Sequence, residues 1–288
     1  KETLTIGTGE NVLNLYYTKR TDLSYTVNYY WNGTTEKVAD SKTEENQTFE
    51  DVIIEAPKLI EGYTPISLER QELIITTDDN DNTITFYYYK NVELEANSKT
   101  VPYNGQEQSV SGFTGAPVDA DFSAITVGAK GTNVGEYPAE FADGTVDTVD
   151  GTEKYIVTKA TDGKLEIEKR VVTLTSEGGS KVYDGTPLTK PDVTIGGDGF
   201  VAGEVTDIKA TGSVTYVSEG EVTNTITYTE GEKFNADNYD IQKTEGKLSI
   251  TAATAKVTVT ITGNKVTETY DGSEKTAKNY TVSIDNDL

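Results

Sequence analysis

The sequence predicts an all-β or mostly β protein built as a tandem array of small β modules, and three observations carry that prediction. The first is composition: 18 Tyr within a 35% hydrophobic chain, together with abundant Thr and Val, suits a pleated, half-buried backbone better than a disordered acidic one. The second is alternation, clearest in KVTVTIT at 256–262, where Val257, Val259 and Ile261 point one way and Thr258, Thr260 and Thr262 the other. The third is repetition. Tyr103-Asn104-Gly105, Tyr183-Asp184-Gly185 and Tyr270-Asp271-Gly272 recur at spacings of 80 (183 minus 103) and 87 (270 minus 183). Leu94, Leu174 and Ile261 each stand nine positions before the tyrosine, an agreement that marks copies of one unit.

Taken in order, residues 1–20 read as the tail of a preceding copy: ENVLNLYYTK at 10–19 matches NTITFYYYK at 82–90, and Leu4-x-Ile6 matches Leu73-x-Ile75. Residues 21–90 are then one complete copy of a first module type. Residues 91–170 and 171–252 are two copies of a second type. They close alike, KYIVTKATDGKLEIEK (154–169) paralleling NYDIQKTEGKLSIT (238–251), each with a tyrosine followed by Gly-Lys-Leu-x-Ile. Residues 253–288 start a third copy, and Leu288 is reached before any closing strand. The expected chain is therefore a slice of something longer, cut inside a module at both ends. Seams fall near Arg20–Thr21, Lys90–Val92, Lys169–Val171 and Thr251–Lys256, without Gly/Ser-rich linkers, which predicts a stiff, elongated rod.

Composition also excludes function classes. With no Cys and no His, disulfide frameworks, thiolate or imidazole zinc sites and His- or Cys-based triads are ruled out. A net charge of −23 repels phosphate backbones and anionic lipid, so nucleic acid is not an expected partner. No apolar run reaches the ~18 residues of a membrane-spanning helix, so membrane insertion is not expected. Walker, GxSxG and dinucleotide fingerprints are missing, and modules of this size rarely enclose a deep cleft. A non-catalytic chain is expected, without a cofactor.

SYTVNYYWNG (24–33), Glu61-Gly62-Tyr63 and the closing TITFYYYK make residues 21–90 resemble the mucin-binding-protein repeats of Gram-positive cell-surface proteins. The Tyr-Asp/Asn-Gly triplet and the Gly-x-Leu-x-Ile ending make the copies from 91 onward similar to the YDG-type, MBG-like β modules of large bacterial surface adhesins. The resemblance implies a β-grasp-like module followed by β-sandwich-like ones, monomeric within a longer chain. It further implies an extracellular, cell-wall-attached protein, with signal and anchor outside this segment. The expected role is a non-catalytic adhesin stalk or spacer, with host or matrix glycans, mucin among them, as candidate partners of the 21–90 module. A dedicated carbohydrate-binding lectin module is the alternative, followed by homotypic assembly through exposed sheet edges and by a glycan-active enzyme fragment.

Three residue sets are candidates for chemistry. Tyr29, Trp31, Tyr87 and Tyr89 lie in aromatic runs with neighbours on both strand faces. Such rings either pair across strands to stabilise a sheet or present an amphipathic platform to a sugar ring. Asp78, Asp79 and Asp81 in TTDDNDNT offer oxygen donors of the kind Ca²⁺ takes, but without EF-hand spacing, so a solvated turn is the expected reading. The Tyr103-Asn104-Gly105, Tyr183-Asp184-Gly185 and Tyr270-Asp271-Gly272 triplets are expected to be structural turns. Asx and Gly both tolerate positive φ, and the Asx side chain bonds its own backbone. Because Asn104 stands where the other copies have Asp, no carboxylate is needed there.

Overall fold

In the computed structural model, residues 5–12, 14–254 and 257–285 are described. Leu4, Lys256 and Leu288, on which sequence expectations were placed, lie outside them. The described residues are mostly β, with no α-helix and with single 3₁₀ turns at Val217–Glu219 and Ala236–Asn238. The chain divides into two compact units. One holds the chain up to Thr100 with Glu107–Gly131 and Gly135–Glu166; the other holds Val101–Gln106, Thr132–Val134 and the chain from Ile167 onward.

The first unit is organised by one long strand, Thr83–Ala96. It is central in a sheet ordered Tyr155–Thr161, Thr83–Ala96, Leu23–Trp31, Lys42–Gln47, with the short Tyr63–Pro65 and Phe113–Thr114 strands also paired to it. Its two long neighbours both run parallel to it, with Tyr29 opposite Phe86 and Trp31 opposite Tyr88 on one side, and Tyr155 opposite Lys90 on the other. Period-two alternation explains the first core. Leu23, Tyr25, Val27 and Tyr29 interleave with Ile84, Phe86 and Tyr88 over Ile75, and full burial of each such side chain contributes roughly 1.5–3 kcal/mol. The seam drawn at Lys90–Val92 falls inside this continuous strand. Its buried row serves a second core there, where Val92 and Leu94 pack with Phe122, Tyr155 and Val157.

In the second unit, Arg170–Ser176 is the middle strand of three, antiparallel to Val193–Gly197 and parallel to Tyr239–Thr244. Gly179–Val182 pairs in parallel with Lys247–Thr251, over a core of Val214, Leu248 and Ile250 against which Tyr183 packs. The two parallel pairings start in the same register and part after three residues, where a bulge after Val157 shifts the first. Tyr155 faces Lys90 and Val157 faces Val92 in the first; Tyr239 faces Arg170 and Ile241 faces Val172 in the second. Beyond them, Thr258–Gly263 and Tyr280–Asp285 form a two-stranded antiparallel hairpin.

Candidate functional site

The structure does not bring the four sequence-predicted aromatics onto one surface. Tyr29 is buried in the first core, its ring stacked 6.4 Å from Phe86, and burial raises its phenol above the usual range. Trp31 shares that strand face and is half-buried. Its Nε1–H donates to the Lys154 carbonyl at 2.9 Å, its ring meets Tyr155 edge-on at 5.5 Å, and the Lys90 and Lys154 ammonium groups lie 5.6 and 5.9 Å from its centre. This is a packing role: Trp31 ties the Leu23–Trp31 strand to a segment more than a hundred residues away.

Tyr87 and Tyr89 occupy the opposite face of the Thr83–Ala96 strand. Tyr89 is half-buried. Tyr87 is 46% exposed, and its ring lies 6.4 Å from that of Tyr30, the residue directly opposite it in the parallel pairing. A shallow cleft of about 200 Å³ lies between this pair and Thr34 and Thr35. A second, of about 320 Å³, adjoins Tyr87 on the other side and is lined by Ser67, Glu69, Arg70, Gln71 and Thr85 among others. The Gln71 amide donates to the Thr85 carbonyl at 3.0 Å, so the 66–71 segment covers the flank of the central strand and presents its polar side chains beside Tyr87. An exposed phenol ring with hydroxyl, carboxylate, amide and guanidinium groups within one side chain's reach can stack on an apolar sugar face and hydrogen-bond its rim. Tyr30, Arg70 and Gln71 belong to this arrangement and were missed from the sequence.

The acidic run sits in the turn before the central strand. The Asp78 carboxylate accepts from the Asn80 N–H and the Asn80 amide, and the Asp79 carboxylate accepts from the Ser24 N–H at 2.9 Å. The anchor of the turn is Asn82, the last residue of the Asx run. Fully buried, it accepts from the Thr76 N–H and donates to the carbonyls of Ser24 and Thr76. Asp78, Asp79 and Asp81 are exposed, and among the described residues no three His, Cys, Asp or Glu side chains come together in a metal-holding group.

The three triplets share one local geometry. The Oδ1 of Asn104, Asp184 and Asp271 accepts from the N–H two residues on, at 2.9, 2.9 and 3.0 Å. Gly105, Gly185 and Gly272 follow at φ of 76°, 82° and 79°, which a side chain rarely tolerates. Lys181 and Lys275 lower the Asp184 and Asp271 carboxyls to about 2, whereas Asn104 turns the chain without charge. The tyrosines differ more. Tyr103 is buried and donates to Glu204 Oε1 at 2.7 Å, Tyr183 is half-buried, and Tyr270 is 91% exposed.

No protein-family model matches the chain, and no curated protein matches it.

Proposed function

We propose that this chain is a non-catalytic segment of a bacterial cell-surface adhesin, in which repeated β modules act as an extracellular spacer and the 21–90 region contacts glycans through Tyr87 and Tyr30. The observation that carries the reading is the division of the aromatic runs. Tyr29, Phe86 and Tyr88 fill a core, while Tyr87 stays half exposed beside Tyr30, between two clefts lined with polar groups. The resemblance to mucin-binding and YDG-type modules supplies the partner class and the surface location. As a rod of β-grasp-like and β-sandwich-like modules, the chain scatters with a radius of gyration well above the roughly 19 Å of a single globule of its length; a compact value counts against the spacer.

Binding of the full chain to immobilised mucin glycans at low and moderate salt tests the contact surface. Stacking-driven binding holds or improves as salt screens repulsion by a chain of net charge −23. Tyr87→Ala is expected to weaken binding at least tenfold with an unchanged melting temperature. Trp31→Ala is unsuitable as a binding control, since Trp31 packs internally. Binding that survives Tyr87→Ala undiminished, or no binding at either salt, removes the glycan surface from the proposal.

A further inference from the structure

Asn-Gly, in which a side-chain amide is followed by the least hindered of backbone nitrogens, occurs twice in the chain, at Asn32-Gly33 and Asn104-Gly105. The fold holds the two in opposite ways. At Asn104 the side-chain Oδ1 accepts from the Gln106 N–H at 2.9 Å, and neither the Nδ2 nor the Gly105 N–H has a hydrogen-bond partner among the described residues. At Asn32 the Nδ2 donates to the Glu153 carbonyl at 2.7 Å, and the Oδ1 has no donor among the described residues. Asn104 is exposed, whereas Asn32 is half-buried.

That contrast bears on one reaction, the loss of the side-chain amide. It begins when the next backbone nitrogen attacks Cγ, which drives negative charge onto Oδ1 and makes Nδ2 the leaving group. A donor already placed on Oδ1 stabilises the developing charge, an unbonded Nδ2 is free to depart, and a glycine offers no side chain to block the approach. Asn104 meets all three conditions; Asn32 lacks the donor and has its Nδ2 tied. The repeat supplies the other half of the argument. Asp184 and Asp271 hold the matching position in the other two triplets, and each Oδ1 accepts from the N–H two residues on, at 2.9 and 3.0 Å. The turn therefore accommodates the carboxylate that the reaction makes. At Asn32 the same product would aim a carboxylate at the Glu153 carbonyl, an acceptor against an acceptor.

We infer that Asn104 is a site of spontaneous deamidation, through which the first triplet acquires the aspartate that its two sister copies encode. The Gly105 nitrogen bonds to Asn104 Cγ and the Cγ–Nδ2 bond breaks. The departing NH₂ group takes up the proton released by the Gly105 N–H and leaves as ammonia. Water then opens the resulting five-membered succinimide at either carbonyl, leaving aspartate or isoaspartate at position 104. The aspartate product keeps the path of the other two turns. The isoaspartate product lengthens the main chain where there is little room: Tyr103 is buried against Glu204, and a Cβ on Gly105 would stand 2.8 Å from Val201 Cγ1. Either product adds a negative charge at a turn whose Gly105 and Gln106 line a cleft of about 430 Å³ with Glu204, Glu232 and Lys233. Val101 and Gln108 stand where the other turns have Lys181 and Lys275, so no lysine of the turn offsets it.

The test incubates the full chain in mildly alkaline buffer, folded in one arm and unfolded in urea in the other, and follows each asparagine by peptide mapping and mass spectrometry. In the folded chain Asn104 is expected to convert at least tenfold faster than Asn32; in urea the two Asn-Gly sites converge to within a few-fold. The inference is overturned if Asn104 keeps its amide in the folded chain, if Asn32 converts as fast there, or if the contrast persists unchanged in urea, since flanking sequence and not the fold then sets it. A second measurement tests whether the product fits. Asn104→Asp is expected to melt with the parent and Asn32→Asp well below it; a melting temperature for Asn104→Asp that falls as far as that of Asn32→Asp overturns the claim that the turn accommodates the carboxylate.

Discussion

Each of the two units buries a carboxylate, and the two are satisfied in chemically different ways. Asp150 in the first unit is almost fully buried. It accepts from the N–H groups of Asp121, Thr152, Lys154 and Tyr155 and from the Thr152 hydroxyl, at 2.5–3.1 Å. Glu204 in the second unit, equally buried, accepts from two phenols, Tyr103 and Tyr239, each at 2.7 Å. Backbone N–H groups are donors only and are fixed by the chain; a phenol O–H rotates and can also accept. The first site is therefore a rigid cage that demands an anion, while the second is a bridge that any suitably placed polar group can span.

The largest expected effect breaks the cage. Asp150→Ala leaves five donors without their acceptor and is expected to destabilise the chain by roughly 3–5 kcal/mol, since each orphaned buried donor forfeits its desolvation cost. The sharper test is the amide pair. Asp150→Asn turns an NH₂ group toward fixed N–H donors and still costs about 3 kcal/mol, whereas Glu204→Gln can accept from one phenol and donate to the other, costing about 1 kcal/mol. Denaturant unfolding of both variants measures the difference. Equal losses would show that geometry, not donor chemistry, distinguishes the two sites.

Acid titration probes the cage without mutation. Burial works to raise the Asp150 carboxyl, but the Thr152 hydroxyl and the backbone N–H groups outweigh it, lowering the group from the ordinary 3.8 to about 2. A depressed carboxyl contributes stability that is present above its unfolded value and is lost as pH falls through the folded one. Between about pH 4 and pH 2 the chain should lose up to about 2 kcal/mol from this group. The Asp150→Asn variant lacks that share of the acid limb; if its stability falls with pH as steeply as that of the parent, the loss belongs to other groups.

Much of this fold is legible in local patterns. The alternation Leu23, Tyr25, Val27, Tyr29 against Ser24, Thr26, Asn28 already assigns Tyr30 to the polar face, and Ile84, Phe86, Tyr88 against Thr83, Thr85 assigns Tyr87 and Tyr89 likewise. That parity was the available signal that Tyr29 is core and that Tyr30 belongs beside Tyr87. The internal repeat was legible for the same reason, because turns and closing strands are local. What local patterns cannot carry is pairing at a distance. Trp31 meets Lys154 across 123 residues, and Tyr103 meets Glu204 across 101. Nothing near Glu204 marks it as one of 48 acidic residues that would be buried. The Lys90–Val92 position reads as a seam in the sequence, yet hydrogen bonding continues the strand through it.

The smallest expected effect sharpens the bridge and separates its two phenols. Tyr239 does more than Tyr103, because its oxygen also accepts from the Val201 N–H at 3.0 Å, and its ring stacks with Phe234 and meets Phe200 and Tyr103 edge-on. Burial first, and then the adjoining Glu204 carboxylate, hold both phenols in the neutral form above their usual range. Removing the Tyr239 hydroxyl deprives Glu204 of one donor and Val201 of its acceptor, so Tyr239→Phe should cost about 2 kcal/mol; Tyr103→Phe removes one bond to a carboxylate that keeps the other, and should cost about 1 kcal/mol. The pH dependence separates them further. A raised phenol contributes stability that is complete below its unfolded value near 10 and is lost as pH rises toward the folded one. Each Phe variant should therefore unfold less steeply than the parent above pH 10, Tyr239→Phe more so because its phenol carries the larger shift. If Tyr103→Phe proves the costlier of the two, the bridge is held from the triplet side, and that tyrosine is an anchor of the second unit and not just the residue before a turn.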